Sequence, residues 1–338
     1  MSLTRTAASW AAVACTMVCK GAAAAALTPG NLMVANFSFA MLTEVTPTQT
    51  ADSEPVQYLG LPAAIDPDVD RSVRGVAQAD DGNLYIYRGG NVAAIQQLNP
   101  ITGAVKDIAI AGFGTYSGYT YGDIAAYKNQ IFATDMDSTG FPNDAPNGLV
   151  LYNTNDGTVT RFAAGHDYTN LTVGLNGMLY AKALGSSVLD VYDAQTSNLL
   201  GSVTLATSAQ LNSFVVDSKG RIYASSYDSA GGKSQILSFD RDGQLLGAAF
   251  TLPLITDMAI NDQGQIAIAA ARNGAWLTDT SLLALQPFAT LLPDSMSLTF
   301  VRDISSVPEG GTQGLMGVGL VGVWIARRSR SRDRMMRA

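Results

Sequence analysis

One pattern of apolar and polar positions recurs through the middle of this chain. A turn containing Gly or Asn leads into a short strand of apolar residues. It occurs as Gly30-Asn31-Leu32-Met33-Val34-Ala35, Gly82-Asn83-Leu84-Tyr85-Ile86-Tyr87 and Asn129-Gln130-Ile131-Phe132-Ala133-Thr134. It returns as Gly177-Met178-Leu179-Tyr180-Ala181, Gly220-Arg221-Ile222-Tyr223-Ala224 and Gly264-Gln265-Ile266-Ala267-Ile268. Aligned on the central Leu or Ile, the units fall at positions 32, 84, 131, 179, 222 and 266, with spacings of 52, 47, 48, 43 and 44 residues. A near-regular period of this size marks a stacked repeat architecture.

Each unit has the same neighbours. A short apolar strand precedes the turn, as in Ser213-Phe214-Val215-Val216-Asp217 or Asp257-Met258-Ala259-Ile260. Two further strands joined by a tight bend follow it. The clearest bend is the Asp242-Gly243 step within Ser238-Phe239-Asp240-Arg241-Asp242-Gly243-Gln244-Leu245-Leu246, a hairpin signal. Four short strands per unit with no helical period between them predict an all-β fold, a six-bladed β-propeller. The first unit begins at its second strand. Ser297-Leu298-Thr299-Phe300-Val301, after the sixth unit, supplies the missing strand and closes the ring over residues 30–303, with seven blades as the rival count. The Asp-x-x-Gly-x-Ile/Leu-Tyr signature resembles that of NHL-type and gluconolactonase-like six-bladed propellers. Many propellers share it, so the resemblance implies a fold and leaves function open.

The two ends read as addresses. Residues 1–26 have the layout of a secretory signal peptide: Arg5, an uncharged apolar stretch from Ala7 to Val18, and small residues from Ala22 to Ala26, with cleavage expected after Ala26. Both cysteines, Cys15 and Cys19, fall inside it, so the mature chain, 27–304 and its tail, has no disulfide framework. Residues 305–338 carry the motif Val307-Pro308-Glu309-Gly310, then an uncharged, mostly apolar stretch over 310–326 that includes Leu320 and Trp324. Six arginines follow, beginning with Arg327, Arg328 and Arg330. Seventeen residues at about 1.5 Å each reach the lower limit of a transmembrane helix, and a basic flank stays cytoplasmic. The order resembles the PEP-CTERM sorting signal of Gram-negative bacteria, with Gly310 in place of the family's second Pro. That resemblance implies an exosortase-type processing enzyme acting at Pro308-Glu309, a transient membrane anchor, and final placement at the cell surface or outside it. A plain tail anchor is the alternative.

Composition narrows the chemistry. Of 338 residues, 47% are hydrophobic and only 14% charged, which supports a sizeable core and excludes a disordered chain. Residues 27–306 hold 13 basic and 26 acidic side chains, so the body is acidic and nucleic acid is excluded as a partner. A single histidine, His166, rules out a multi-histidine metal site, and its place in an inter-blade loop suits a surface residue.

Candidate chemistry sits where each inner strand opens toward the channel mouth: Gly75, Asp123, Asn170, Ser213, Asp257 and Ser297. Asp123, Asn170 and Asp257 are oxygen donors and a candidate Ca²⁺ site; the alternative is that they cap turns and bind water. The position is similar to the metal ring of gluconolactonase-type propellers, although no Glu opens the first inner strand here. Asp135-Met136-Asp137-Ser138-Thr139-Gly140 starts like a calcium loop but has Pro146 where an EF-hand needs Glu. Tyr116, Tyr119 and Tyr121 cluster in a Gly/Ser loop and are a candidate surface for a polysaccharide or protein ligand. The expectation is an exported, envelope-sorted propeller that binds without catalysis. A Ca²⁺-dependent lactonase-like hydrolase and a purely structural matrix protein are the alternatives.

Overall fold

The computed structural model describes residues 26–36, 41–47, 56–61, 69–90, 94–113, 122–135, 148–228, 231–271, 274–288 and 295–304. The expected signal peptide up to residue 25, the tyrosine loop, the remainder of the loop after Asp135 and the expected sorting tail from residue 305 lie outside them.

The described residues form six four-stranded antiparallel sheets. The chain first lays down β1 (Leu32–Asn36), β2 (Met41–Val45) and β3 (Gln57–Gly60). The second blade is β4 (Val69–Gln78), β5 (Leu84–Gly90), β6 (Ala94–Leu98) and β7 (Val105–Ile108). The third is β8 (Ile124–Tyr127), β9 (Gln130–Asp135), β10 (Gly148–Asn153) and β11 (Val159–Phe162). The fourth is β12 (Tyr168–Val173), β13 (Met178–Ala183), β14 (Val188–Asp193) and β15 (Leu199–Thr204). The fifth is β16 (Gln210–Val216), β17 (Ile222–Asp228), β18 (Lys233–Phe239) and β19 (Leu245–Pro253). The sixth is β20 (Ile255–Ile260), β21 (Gln265–Ala270), β22 (Gly274–Asp279) and β23 (Gln286–Phe288). The last strand, β24 (Ser295–Phe300), pairs antiparallel with β1 and becomes the inner strand of the first blade. The expected closure is therefore present, and the ring has six blades.

The turn between the first two strands of a blade explains the sequence signature. In four blades a residue's N–H and C=O bracket a five-residue turn with Gly fourth, and one outer hairpin repeats it. Gly82, Gly177, Gly220, Gly243 and Gly264 donate to the carbonyls of Ala79, Gly174, Asp217, Asp240 and Asn261; the Asp240 case is the outer hairpin of the fifth blade. These glycines have φ between 77° and 85°, which an L side chain adopts only with strain. The tyrosine after the Leu or Ile ties the strand back to this turn: Tyr85 donates to Asp81 Oδ2 at 2.7 Å, and Asn176 donates to the Tyr180 hydroxyl at 2.8 Å.

The core is divided among the seams between blades. Tyr85, Tyr87, Ile124 and Val150 fill the seam between the second and third blades; Phe132, Tyr168, Leu179 and Tyr192 fill the next. Alternate residues of the second strand of a blade face opposite seams, so both its faces are buried and it reads as nearly continuous apolar sequence, as in β9 and β21.

Candidate functional site: the polar belt of the channel

The six inner strands, β24, β4, β8, β12, β16 and β20, neighbour one another in a ring. Five of them start ahead of the residues expected to open them, and β8 starts at Ile124, one residue after Asp123. β16 begins at Gln210 and β20 at Ile255, two or three residues ahead of Ser213 and Asp257. A bulge or register shift falls just ahead of, or at, Gly75, Asn170, Ser213, Asp257 and Ser297. Bulges re-aim side chains, and here the re-aimed group turns toward the adjoining blade.

What these side chains do is consistent around the ring. Asp123 Oδ2 accepts the N–H of Leu171, the residue after Asn170 on the next blade, at 3.1 Å. Ser213 Oγ accepts the N–H of Met258 at 3.0 Å. Asp257 Oδ2 accepts the N–H of Leu298 at 3.0 Å and the Ser297 hydroxyl at 2.7 Å. Ser297 Oγ accepts the N–H of Val76, the residue after Gly75, at 3.2 Å. At four junctions, then, the channel residue of one blade satisfies the backbone of the next. Gly75 has no side chain to reach Ile124, and there Asp123 Oδ1 accepts its own neighbour's N–H at 2.8 Å. Asn170 Oδ1 accepts the Thr169 hydroxyl at 3.1 Å.

The carboxylates differ in occupancy. Asp257 Oδ1 takes the Ser213 hydroxyl at 3.0 Å and the Met258 N–H at 2.8 Å, so each of its oxygens carries two donors. Each Asp123 oxygen carries one backbone donor. Asp123 on β8's edge and Asp257 on β20 stand three blades apart, on opposite sides of the ring. Burial, then the charge of Asp257, pushes the Asp123 carboxyl well above the usual carboxylate range. Burial also raises Asp257, while its four donors pull the other way. Burial raises both carboxyls, and hydrogen bonds oppose the rise most at Asp257, which takes four donors against two at Asp123.

Of the candidate Ca²⁺ ligands, Asp257 has its lone pairs engaged, Asp123 keeps one free lone pair per oxygen, and Asn170 sits between them on the ring. Among the described residues no three His, Cys, Asp or Glu side chains cluster as metal ligands. Asp135, the first residue of the calcium-like loop, is paired with Arg161 at 2.8 Å. Tyr116, Tyr119, Tyr121 and the tail residues lie outside the described residues. No helix among the described residues is long and apolar enough to cross a membrane.

Two features went unread in the sequence. Lys182, registered with Asn170 on β13, is buried with its ammonium on the Ala183 carbonyl at 3.2 Å. Burial pushes its pKa down to about 8. Tyr168, Asp190, Tyr192 and Ser202 form a hydroxyl–carboxylate network against His166. The alternation of β14 placed Asp190 on one face, but nothing in the sequence showed that Tyr168 and Ser202 of flanking strands would meet it.

No family model matches this sequence, and no curated protein is detectably similar to it. Among solved structures it resembles a chain of a nidogen/laminin complex, with a TM-score of 0.55 and 12% identity, over 80% of this chain and 99% of that one. The likeness is one of fold. It agrees with the six-bladed ring built above from strand pairing.

Proposed function

We propose that this chain is an exported, envelope-sorted propeller that binds a polysaccharide or protein partner without catalysis. The observation that carries the reading is the engagement of the channel belt. The polar groups of Asp257, Ser213 and Ser297 are taken up by backbone and hydroxyl donors of adjoining blades, so they serve to hold the ring. A hydrolase needs a group free to take a proton from water or substrate. The similar chain comes from a two-protein complex, which accords with a propeller used for binding. The export half rests on the signal-like residues 1–26 and the three-part tail 305–338. Replacing Pro308 and Glu309 by Ala should leave the full-length chain in the membrane fraction. Processing and release equal to the parent's would remove the sorting reading.

A second reading has its own observation. Asp123 keeps a free lone pair on each oxygen and faces Asp257 across the ring, an arrangement that a Ca²⁺ ion would neutralise. On that reading the chain is a Ca²⁺-dependent lactonase-like hydrolase. A screen of simple lactones and esters with and without Ca²⁺ separates the two, since only the second gives metal-dependent turnover that Asp257→Ala abolishes.

A further inference from the structure

His166 is the chain's single histidine. The connector from β11 to β12 leaves the third blade through Ala163 at φ 57° and Gly165 at φ 87°. These left-handed residues bend the chain so that the imidazole lies parallel on the Tyr168 ring, with centroids 5.3 Å apart and planes 6° apart. In that position His166 Nδ1 stands 3.7 Å from Asp190 Oδ2. The carboxylate is itself held from two sides. Its Oδ2 accepts the Tyr168 hydroxyl at 2.6 Å, and its Oδ1 accepts the Ser202 hydroxyl at 2.6 Å. The Tyr168 hydroxyl lies 2.7 Å from that of Tyr192. The histidine side chain is 55% exposed and the aspartate 20%, so the pair opens to solvent.

The order of these groups rules out a serine nucleophile. A triad places the imidazole between hydroxyl and acid, whereas here the acid lies between Ser202 and His166. What the arrangement does offer is one imidazole nitrogen and one carboxylate oxygen on the same side of a seam. Ligands bound at about 2.0–2.1 Å in a tetrahedral ion lie roughly 3.4 Å apart. The observed separation is close to that. Both ligands are oriented by outer partners, the ring by stacking and the carboxylate by two hydroxyls, as metal ligands commonly are.

We propose that His166 and Asp190 are the protein half of a surface site for a borderline divalent cation such as Zn²⁺ or Ni²⁺. Water, or a donor from a bound partner, fills the remaining positions. Imidazole with carboxylate suits these ions, whereas Ca²⁺ takes six to eight oxygens and finds too few here. Tyr168 and Ser202 act as positioning residues through Asp190.

The single histidine makes the test specific. The full chain, solubilised and carrying isotope-labelled histidine, gives the signals of one imidazole. Titration with Zn²⁺ alone should shift those signals saturably below about 1 mM, and the same concentration of Ca²⁺ should not. Asp190→Asn should weaken Zn²⁺ binding about tenfold or more, and Tyr168→Phe should weaken it less. His166→Gln alters only the exposed side of the pair. It should fold as the parent does and abolish any Zn²⁺-induced rise in melting temperature. Non-saturating shifts in the parent, equal Zn²⁺ affinity in Asp190→Asn, or an undiminished thermal response in His166→Gln would each overturn the site.

Discussion

Ser197 stands where two other blades have glycine. In the outer turns of the second and third blades, Gly103 and Gly157 donate to the carbonyls of Asn99 and Asn153 from φ near 70°. Ser197 makes the same bond to Asp193 at φ 60° and bears the cost of a Cβ in the left-handed region. Ser197→Gly should therefore stabilise the chain by about 1 kcal/mol, read as a higher melting temperature. Lys182 is a second strained position. Burial lowers its folded pKa to about 8, while an unfolded lysine titrates near 10.4. Between those values the unfolded chain binds more protons, so stability rises with pH across the window and the full penalty is present below pH 8. Lys182→Met should stabilise by on the order of 2 kcal/mol at pH 7 and by progressively less toward pH 10. Equal stabilisation at both pH values would show that packing, not charge burial, sets the effect.

At the scale of elements, the closing strand carries the heaviest burden. β24 brings Leu298, Phe300 and Ser297 into the first blade's buried face; Ser297 Oγ accepts the Val76 N–H of the second blade, and the Leu298 N–H donates to Asp257 of the sixth. A chain ending at Asp294 loses a whole ladder and its side chains, at on the order of 5 kcal/mol or more. It should melt far below one ending at Ser306; equal melting would mean that the ring does not depend on this closure. The strand was legible in advance because Ser297 to Val301 repeats the inner-strand pattern after the sixth unit. The turns were legible for the same kind of reason: a required φ above zero selects Gly at a fixed distance from Leu or Ile. The bulges ahead of Asn170, Ser213 and Asp257 were not legible. They add one residue to a strand whose composition does not change, so the expected openings fell two or three residues late. The His166 contacts were hidden for another reason. They depend on Asp190 and Ser202 of β14 and β15 meeting a connector, a long-range register that single-strand patterns do not encode.

For the molecule as a whole, the channel belt joins fold to function. The sequence placed Asp123, Asn170 and Asp257 at the openings of inner strands, and the structure shows Asp123 and Asp257 accepting hydrogen bonds from adjoining blades. Which donors they would meet was beyond the sequence, because several partners, the Leu171, Met258, Leu298 and Val76 N–H groups among them, stand on the adjoining blade. The belt also makes stability depend on pH. The Asp123 carboxyl is raised when folded, so between the ordinary carboxylate value and its raised value the folded chain binds more protons. Stability then falls as pH rises through that window, and neutral pH carries the penalty. Asp123→Asn should flatten this slope in melting curves taken from about pH 4 to pH 8, the four units above the usual carboxylate value. An unchanged slope would place its origin elsewhere.

Asp257 ties the fifth, sixth and first blades together through its four donors. The most direct measurement is the melting temperature of Asp257→Ala beside the parent, each with and without Ca²⁺. Removing this carboxylate strands the Leu298 N–H and the hydroxyls of Ser213 and Ser297, and leaves the Met258 N–H with Ser213 Oγ alone. The loss should be on the order of 3 kcal/mol, several degrees, and the same with or without the ion. A parent that Ca²⁺ stabilises, with a variant that melts like the ion-free parent in both conditions, would contradict the claim.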